Sequence, residues 1–113
     1  MVVKEIYKNS LINEYNIKIT DNVKIDLWNI TKHNTFVFID SDLYNSFSND
    51  IKKEIKCIGS NETRDMSVDE MLNEDLMFAL FTGDDNIGIL ETVSLIEKYV
   101  KSSIHYLIVY KDK

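Results

Sequence analysis

Six apolar residues run without a break from Leu76 to Phe81, bounded by Glu74 and Asp75 before and by Thr82-Gly83-Asp84-Asp85-Asn86 after. An uninterrupted apolar run of this length between turn signals suits a strand buried on both faces, and it is far too short to cross a membrane. The reading is of a central strand around which the chain is organised. The acidic turn after Phe81 leads into an amphipathic stretch. There Ile89, Val93, Ile96 and Val100 form one stripe, while Glu91, Ser94, Lys98 and Lys101 turn away. Glu97 and Lys101 add a pair at the favourable four-residue spacing. A second apolar run, Ile104 to Tyr110, closes a strand, helix, strand unit.

Earlier in the chain the pattern is of short elements. Val2, Val3, Ile6, Tyr7, Leu11 and Ile12 fit a strand or a helical turn equally and are read as an edge element. Tyr15, Ile17 and Ile19 alternate with polar residues, and so do Val23, Ile25 and Leu27, which predicts two half-buried strands. A three-residue loop, Thr20-Asp21-Asn22, would pair Ile19 with Val23, Ile17 with Ile25 and Tyr15 with Leu27. That register sends Trp28 to the polar face, where a covering element is expected. Thr31 to Asn34 reads as a turn, and Thr35 to Ile39 as a strand of β-branched and aromatic residues. Leu43, Phe47, Ile51, Ile55 and Ile58 then recur at helical spacing. They predict a helix over 42–58, capped by Asp40, Ser41 or Asp42, ended by Gly59 and open to interruption between Asn45 and Asn49. Ser67 and Glu70 have capping-box spacing for one more short helix before the central strand.

These elements predict an α+β (or α/β) fold: one globular domain over 1–113, with a sheet of about five strands and two or three helices packed on it. Apolar residues make 44% and charged residues 28% of the chain, so the core needs no staples. The one cysteine, Cys57, cannot form an internal disulfide, and a reducing, cytoplasmic setting is expected. No apolar leader opens the chain at Met1 to Lys8, and no membrane partner is expected.

The net charge of −6 is unevenly spread. Residues 1–39 carry five lysines and four acids, residues 40–75 ten acids and four bases, and residues 76–113 five acids and four bases. Between Glu62 and Asp85 only Arg64 opposes Glu62, Asp65, Asp69, Glu70, Glu74, Asp75, Asp84 and Asp85. Such a block repels nucleic-acid phosphate and anionic lipid and attracts a basic protein surface.

Two acidic pairs follow apolar strands, Asp40 with Asp42 and Asp84 with Asp85. If the strands are parallel neighbours, the four carboxylates gather at the carboxyl ends of the sheet, where α/β proteins bind ligands and where Mg²⁺ could be held. Phe36-Val-Phe-Ile-Asp-Ser-Asp42 resembles the apolar strand plus Asp-x-Asp of haloacid dehalogenase-like phosphatases. Extended to Asn45, it is similar to the opening strand of PIN-like nucleases of the NYN type. Thr82-Gly-Asp-Asp-Asn86 is similar to the later Gly-Asp element of both. The resemblance implies Asp40 as nucleophile or metal ligand, with Asp84 and Asp85 as metal ligands. The same acids, following a strand and preceding a helix, also stand where helix caps stand.

His33 lies in a turn and His105 at the start of the last strand, and no Ser/His/Asp set, zinc spacing or glycine-rich phosphate loop can be assembled. No catalytic residue, metal or cofactor is therefore assigned. In size and charge the chain resembles bacterial immunity proteins, which neutralise basic nuclease toxins by covering the catalytic surface. That resemblance implies a partner-binding surface drawn from Asp65, Asp69, Glu70, Asp84 and Asp85, with Tyr44 or Trp28 as aromatic anchors. The alternative is a metal-dependent phosphohydrolase or nuclease using Asp40, Asp42, Asp84 and Asp85.

Overall fold

A computed structural model describes residues 1–31, 35–55, 57–58, 77–82 and 86–112. The chain opens not on a lone edge element but on a hairpin, β1 (Val2–Tyr7) and β2 (Ser10–Asn16). Lys8 and Asn9 between them both take left-handed conformations, with φ of 52° and 59°. A two-residue turn of this kind matches the right-handed twist of the flanking strands. Val3 pairs with Tyr15 and Glu5 with Asn13. Past the end of β2, Met1 and Ile17 exchange backbone hydrogen bonds at 2.7 and 2.9 Å.

The expected hairpin about Thr20-Asp21-Asn22 is therefore absent, and Tyr15 faces Val3 instead of Leu27. Val23–Ile30 forms a helix, α1. Val23, Leu27 and Ile30 share a helical face as readily as Val23, Ile25 and Leu27 share a strand face, and here the helix puts Val23 and Leu27 fully out of solvent. Thr20 Oγ1 accepts from the Asn22 N–H at 3.2 Å, so the polar triplet leads into the helix and does not reverse a strand.

β3 (Thr35–Asp40) is buried from Thr35 through Ile39. The predicted helix over 42–58 is two shorter ones, α2 (Ser41–Ser46) and α3 (Asn49–Glu54). Phe47 is extended between them, and the Ser48 hydroxyl starts the second helix by accepting from the Ile51 N–H at 3.4 Å. The break preserves the stripe, since Leu43, Phe47, Ile51 and Ile55 are all buried. The chain leaves α3 at Ile55 in an extended conformation, and Cys57–Ile58 is a strand, β4, rather than a last helical turn. The helix expected after Ser67 and the cap expected at Gly59 lie outside the described residues.

β5 (Met77–Phe81), α4 (Asn86–Val100) and β6 (His105–Tyr110) form the strand, helix, strand unit. The sheet order is β2-β1-β6-β3-β5-β4. β6, β3, β5 and β4 are parallel, while β1 runs antiparallel to β6 and to β2. β5 lies inside the sheet between β3 and β4 and buries Phe78 on one face and Phe81 on the other, as expected of a strand covered on both sides, with Ala79 and Leu80 half-buried. Its neighbour β3 is the more completely buried, from Thr35 through Ile39.

Strand order also fixes the layers. From β3 the chain crosses β5 to reach β4, whereas from β5 it crosses β3 in the opposite direction to reach β6. Parallel crossovers are right-handed as a rule, which requires their helices to fall on opposite faces, and they do. α1, α2 and α3 pack Val23, Leu27, Leu43 and Ile51 against Val3, Val37, Ile39 and Leu107. On the other face α4 packs Ile89, Val93 and Ile96 against Phe36, Phe38 and Tyr106. The fold is α+β, and no helix among the described residues is long and apolar enough to cross a membrane.

Candidate functional site

Of the acidic pairs, the first is in view. Asp40 ends β3, and its Oδ1 accepts from the Asp42 N–H at 2.9 Å, closing the first turn of α2. One carboxylate oxygen thus serves as a helix cap. Asp42 is exposed. β3 and β5 are adjacent and parallel, with Asp40 beside Phe81, so the chain leaves both strands at the same edge of the sheet. Asp84 and Asp85 lie outside the described residues, as do Asp65, Asp69 and Glu70. Among the described residues no three His, Cys, Asp or Glu side chains converge as metal ligands.

The two aromatic anchors differ. Trp28 stands on the outer side of α1 at 47% exposure beside Ile25 at 59%, so among the described residues no element covers it as expected. The helix explains this, since Trp28 follows the buried Leu27 by one position and points away from the sheet. Tyr44 is half-buried, its ring edge-on to Phe47 at 6.4 Å and under the Lys52 ammonium at 5.6 Å. A cation held over a ring is a modest attraction at a partly exposed site.

The most connected polar cluster among the described residues has no counterpart in the sequence-based expectations. Glu5, His105 and Thr35 lie on β1, β6 and β3, three neighbouring strands, and their side chains join in one line. The His105 Nε2 is 2.6 Å from Glu5 Oε2, and its Nδ1 is 2.7 Å from Thr35 Oγ1. Tyr15 O–H donates to Glu5 Oε1 at 2.9 Å and the Asn13 amide donates to the same oxygen at 3.0 Å. A carboxylate only accepts, so the Nε2 of His105 carries a proton toward Glu5, while its Nδ1 and the Thr35 hydroxyl share the second contact. Burial acts to raise the Glu5 carboxyl, but the hydrogen bonds from Asn13, His105 and Tyr15, with the charge attraction of His105, outweigh it and hold the group below its ordinary value. The same contact with Glu5, aided by burial, pushes the Tyr15 phenol up.

Hydroxyl, imidazole and carboxylate in a row are the parts of a nucleophile, a base and its orienting acid. Here Glu5, His105 and Thr35 are only 2, 3 and 7% exposed. Atoms so enclosed present nothing to a substrate, and the line acts as a polar tie across three strands. Among the described residues no buried side-chain polar atom lacks a partner. The sequence carried a faint signal for it: Glu5 shares the inward side of β1 with Val3, and His105 shares that of β6 with Leu107 and Val109.

Comparison of the chain with protein-family models, with curated proteins and with solved structures gives no match.

Proposed function

We propose that the protein is a small acidic binding protein that neutralises a basic protein partner in the cytoplasm, in the manner of an immunity protein covering the catalytic surface of a cognate nuclease toxin. The observation that carries this reading is the charge distribution, with ten acids against four bases in residues 40–75 of a chain of net charge −6. Carboxylates in such a block mimic the phosphates of a nuclease's substrate and speed association, while desolvated aromatics hold the complex. The exposed Trp28 and Ile25 of α1 supply an apolar centre on the sheet face that also carries α2 and α3, whose Asp42, Asp50 and Glu54 are exposed. Asp65, Asp69, Glu70, Asp84 and Asp85 complete the proposed surface, with Tyr44 beside it.

The test begins with capture on the purified protein from lysate of the source organism, washed at low and then high salt. It is completed with the purified target. Inhibition of that target's nuclease activity is expected at equal stoichiometry. Joint replacement of Asp65, Asp69 and Glu70 by their amides should slow association, most at low salt. Trp28→Ala should weaken the complex by about 2 kcal/mol, roughly thirtyfold, through faster dissociation. Captured basic proteins whose activity is untouched by the pure chain would defeat the reading.

A second reading is favoured by the parallel pairing that sets Asp40 beside Phe81. In it Asp40, Asp42, Asp84 and Asp85 hold a divalent metal for phosphoester hydrolysis. It requires Mg²⁺ or Mn²⁺ to raise the melting temperature of the wild type, and to raise it less after Asp40→Asn and Asp84→Asn. Toxin inhibition requires neither.

A further inference from the structure

Helix α4 is apolar on two sides. Ile89, Val93 and Ile96 are buried against the sheet, yet its outer side carries Ile87 at 72%, Leu90 at 49% and Leu95 at 62% exposure. The outer side is mixed, since Glu91, Ser94 and Lys98 lie among these apolar residues, and exposed apolar side chains clustered with a few charges in this way mark a contact surface. The groove along this side is lined, among the described residues, by Ile87, Leu90, Glu91, Ser94, Leu95 and Lys98.

The charges in that groove indicate what fills it. Positions 87, 91, 94 and 98 fall on one line, in the four-three-four spacing with which one helix faces another. Glu91 and Lys98 occupy two of these positions, two turns apart and both exposed. A helix bearing one acid and one base at this separation complements itself when reversed. We infer that α4 is the interface of a two-fold homodimer, in which the α4 helices of two copies pack antiparallel about an axis passing between Ser94 and Leu95.

In that arrangement Glu91 of each copy faces Lys98 of the other, so one surface supplies both halves of two ion pairs, as an isologous contact must. A parallel pair would instead set Glu91 against Glu91 and Lys98 against Lys98. Ser94, small and near the axis, lets the helices approach, Leu95 meets its own counterpart, and Ile87 and Leu90 extend the apolar contact outward. The α1 face with Trp28 lies across the sheet and stays open.

The measurement is the mass of the full chain by sedimentation equilibrium over a concentration series. One helix pair buries an area in the small class, below about 1,200 Å², so an equilibrium of monomer and dimer is expected. Glu91→Lys and Lys98→Glu each oppose like charges and should each weaken the dimer roughly tenfold or more. Mixing the two variants should restore it, as should the double variant E91K/K98E. Leu95→Glu should abolish it, with an unchanged far-ultraviolet circular dichroism spectrum showing that the fold is kept. A wild type that stays monomeric up to about 1 mM would overturn the inference. So would a dimer indifferent to Leu95→Glu, or single variants that fail to associate when mixed.

Discussion

His105 Nε2 and Glu5 Oε2 meet at 2.6 Å although 100 residues separate them in the chain. The contact joins the antiparallel hairpin to the parallel sheet, because Glu5 is on β1 and His105 on β6. Tyr15 and Asn13 extend it to the edge strand β2, and Thr35 extends it inward to β3. A polar line spanning four strands is satisfied only in this strand order and this register, so it favours the native pairing over slipped alternatives.

Removing the carboxylate strands its donors. Glu5→Ala leaves His105, Tyr15 and Asn13 without their acceptor and is expected to cost about 3 kcal/mol in urea unfolding. Replacing the buried part of the line with apolar residues, Glu5→Leu with His105→Leu and Thr35→Val, should recover part of that loss, since the imidazole is no longer buried without its acceptor and the stranded donors that remain, Tyr15 and Asn13, are half-buried and exposed. A triple variant weaker than Glu5→Ala would show that the line stabilises beyond satisfying itself.

The same cluster contributes to the pH dependence of stability, joined at the alkaline end by Tyr106, whose phenol is pushed up by burial and by Glu97. The folded Glu5 carboxyl lies below its ordinary value of 4.5, so its contribution is complete above that value and is lost as the pH falls through the lower, folded one. Tyr15 lies above its ordinary 10.0, so the contribution of its neutral hydroxyl is complete below that value and is lost as the pH rises through the folded one. Urea midpoints across the pH range should fall at both ends. Glu5→Gln should flatten the acid arm, and Tyr15→Phe should reduce the alkaline arm to the part that Tyr106 keeps.

The first turn stores strain that substitution can release. Lys8 and Asn9 both sit at positive φ, a conformation that costs an ordinary side chain about 1 kcal/mol or more. Lys8→Asn with Asn9→Gly supplies the residues such turns prefer, and a gain of about 0.5–1 kcal/mol is expected by thermal unfolding.

Asp40 has a measurable role as a cap. Asp40→Ala should cost about 1 kcal/mol by removing the acceptor of the Asp42 N–H, and Asp40→Asn, which still accepts, should cost much less. Ser48→Ala at the start of α3 should resemble Asp40→Ala. Equal losses for Asp40→Asn and Asp40→Ala would instead point to a role for the charge.

The elements legible in the chain were those with long, unambiguous patterns. β3, β5 and β6 stand where continuous β-branched and aromatic runs placed them, and α4 buries the Ile89, Val93 and Ile96 stripe read from its spacing. Val23 to Trp28 misled because six residues with apolar side chains at alternate positions satisfy both periods, and the helix turns to solvent both Trp28, the residue that fitted the strand worst, and Ile25, which the strand pattern put on the apolar face. Of the partner-binding residues read from the sequence, only Trp28 and Tyr44 fall among the described residues, and they differ in being open and packed.

The sequence by itself determined which segments are apolar strands, which helix is two-faced, and that negative charge is concentrated in 40–85, since these are properties of neighbouring residues. Only the tertiary structure decided that β6 lies between β1 and β3, and hence that Glu5, His105 and Thr35 touch. The reason is physical. Strand order is set by which faces can be buried together and by the hand of the crossovers, and neither is written in any stretch of a few residues. The same ordering placed α1 to α3 and α4 on opposite faces of the sheet.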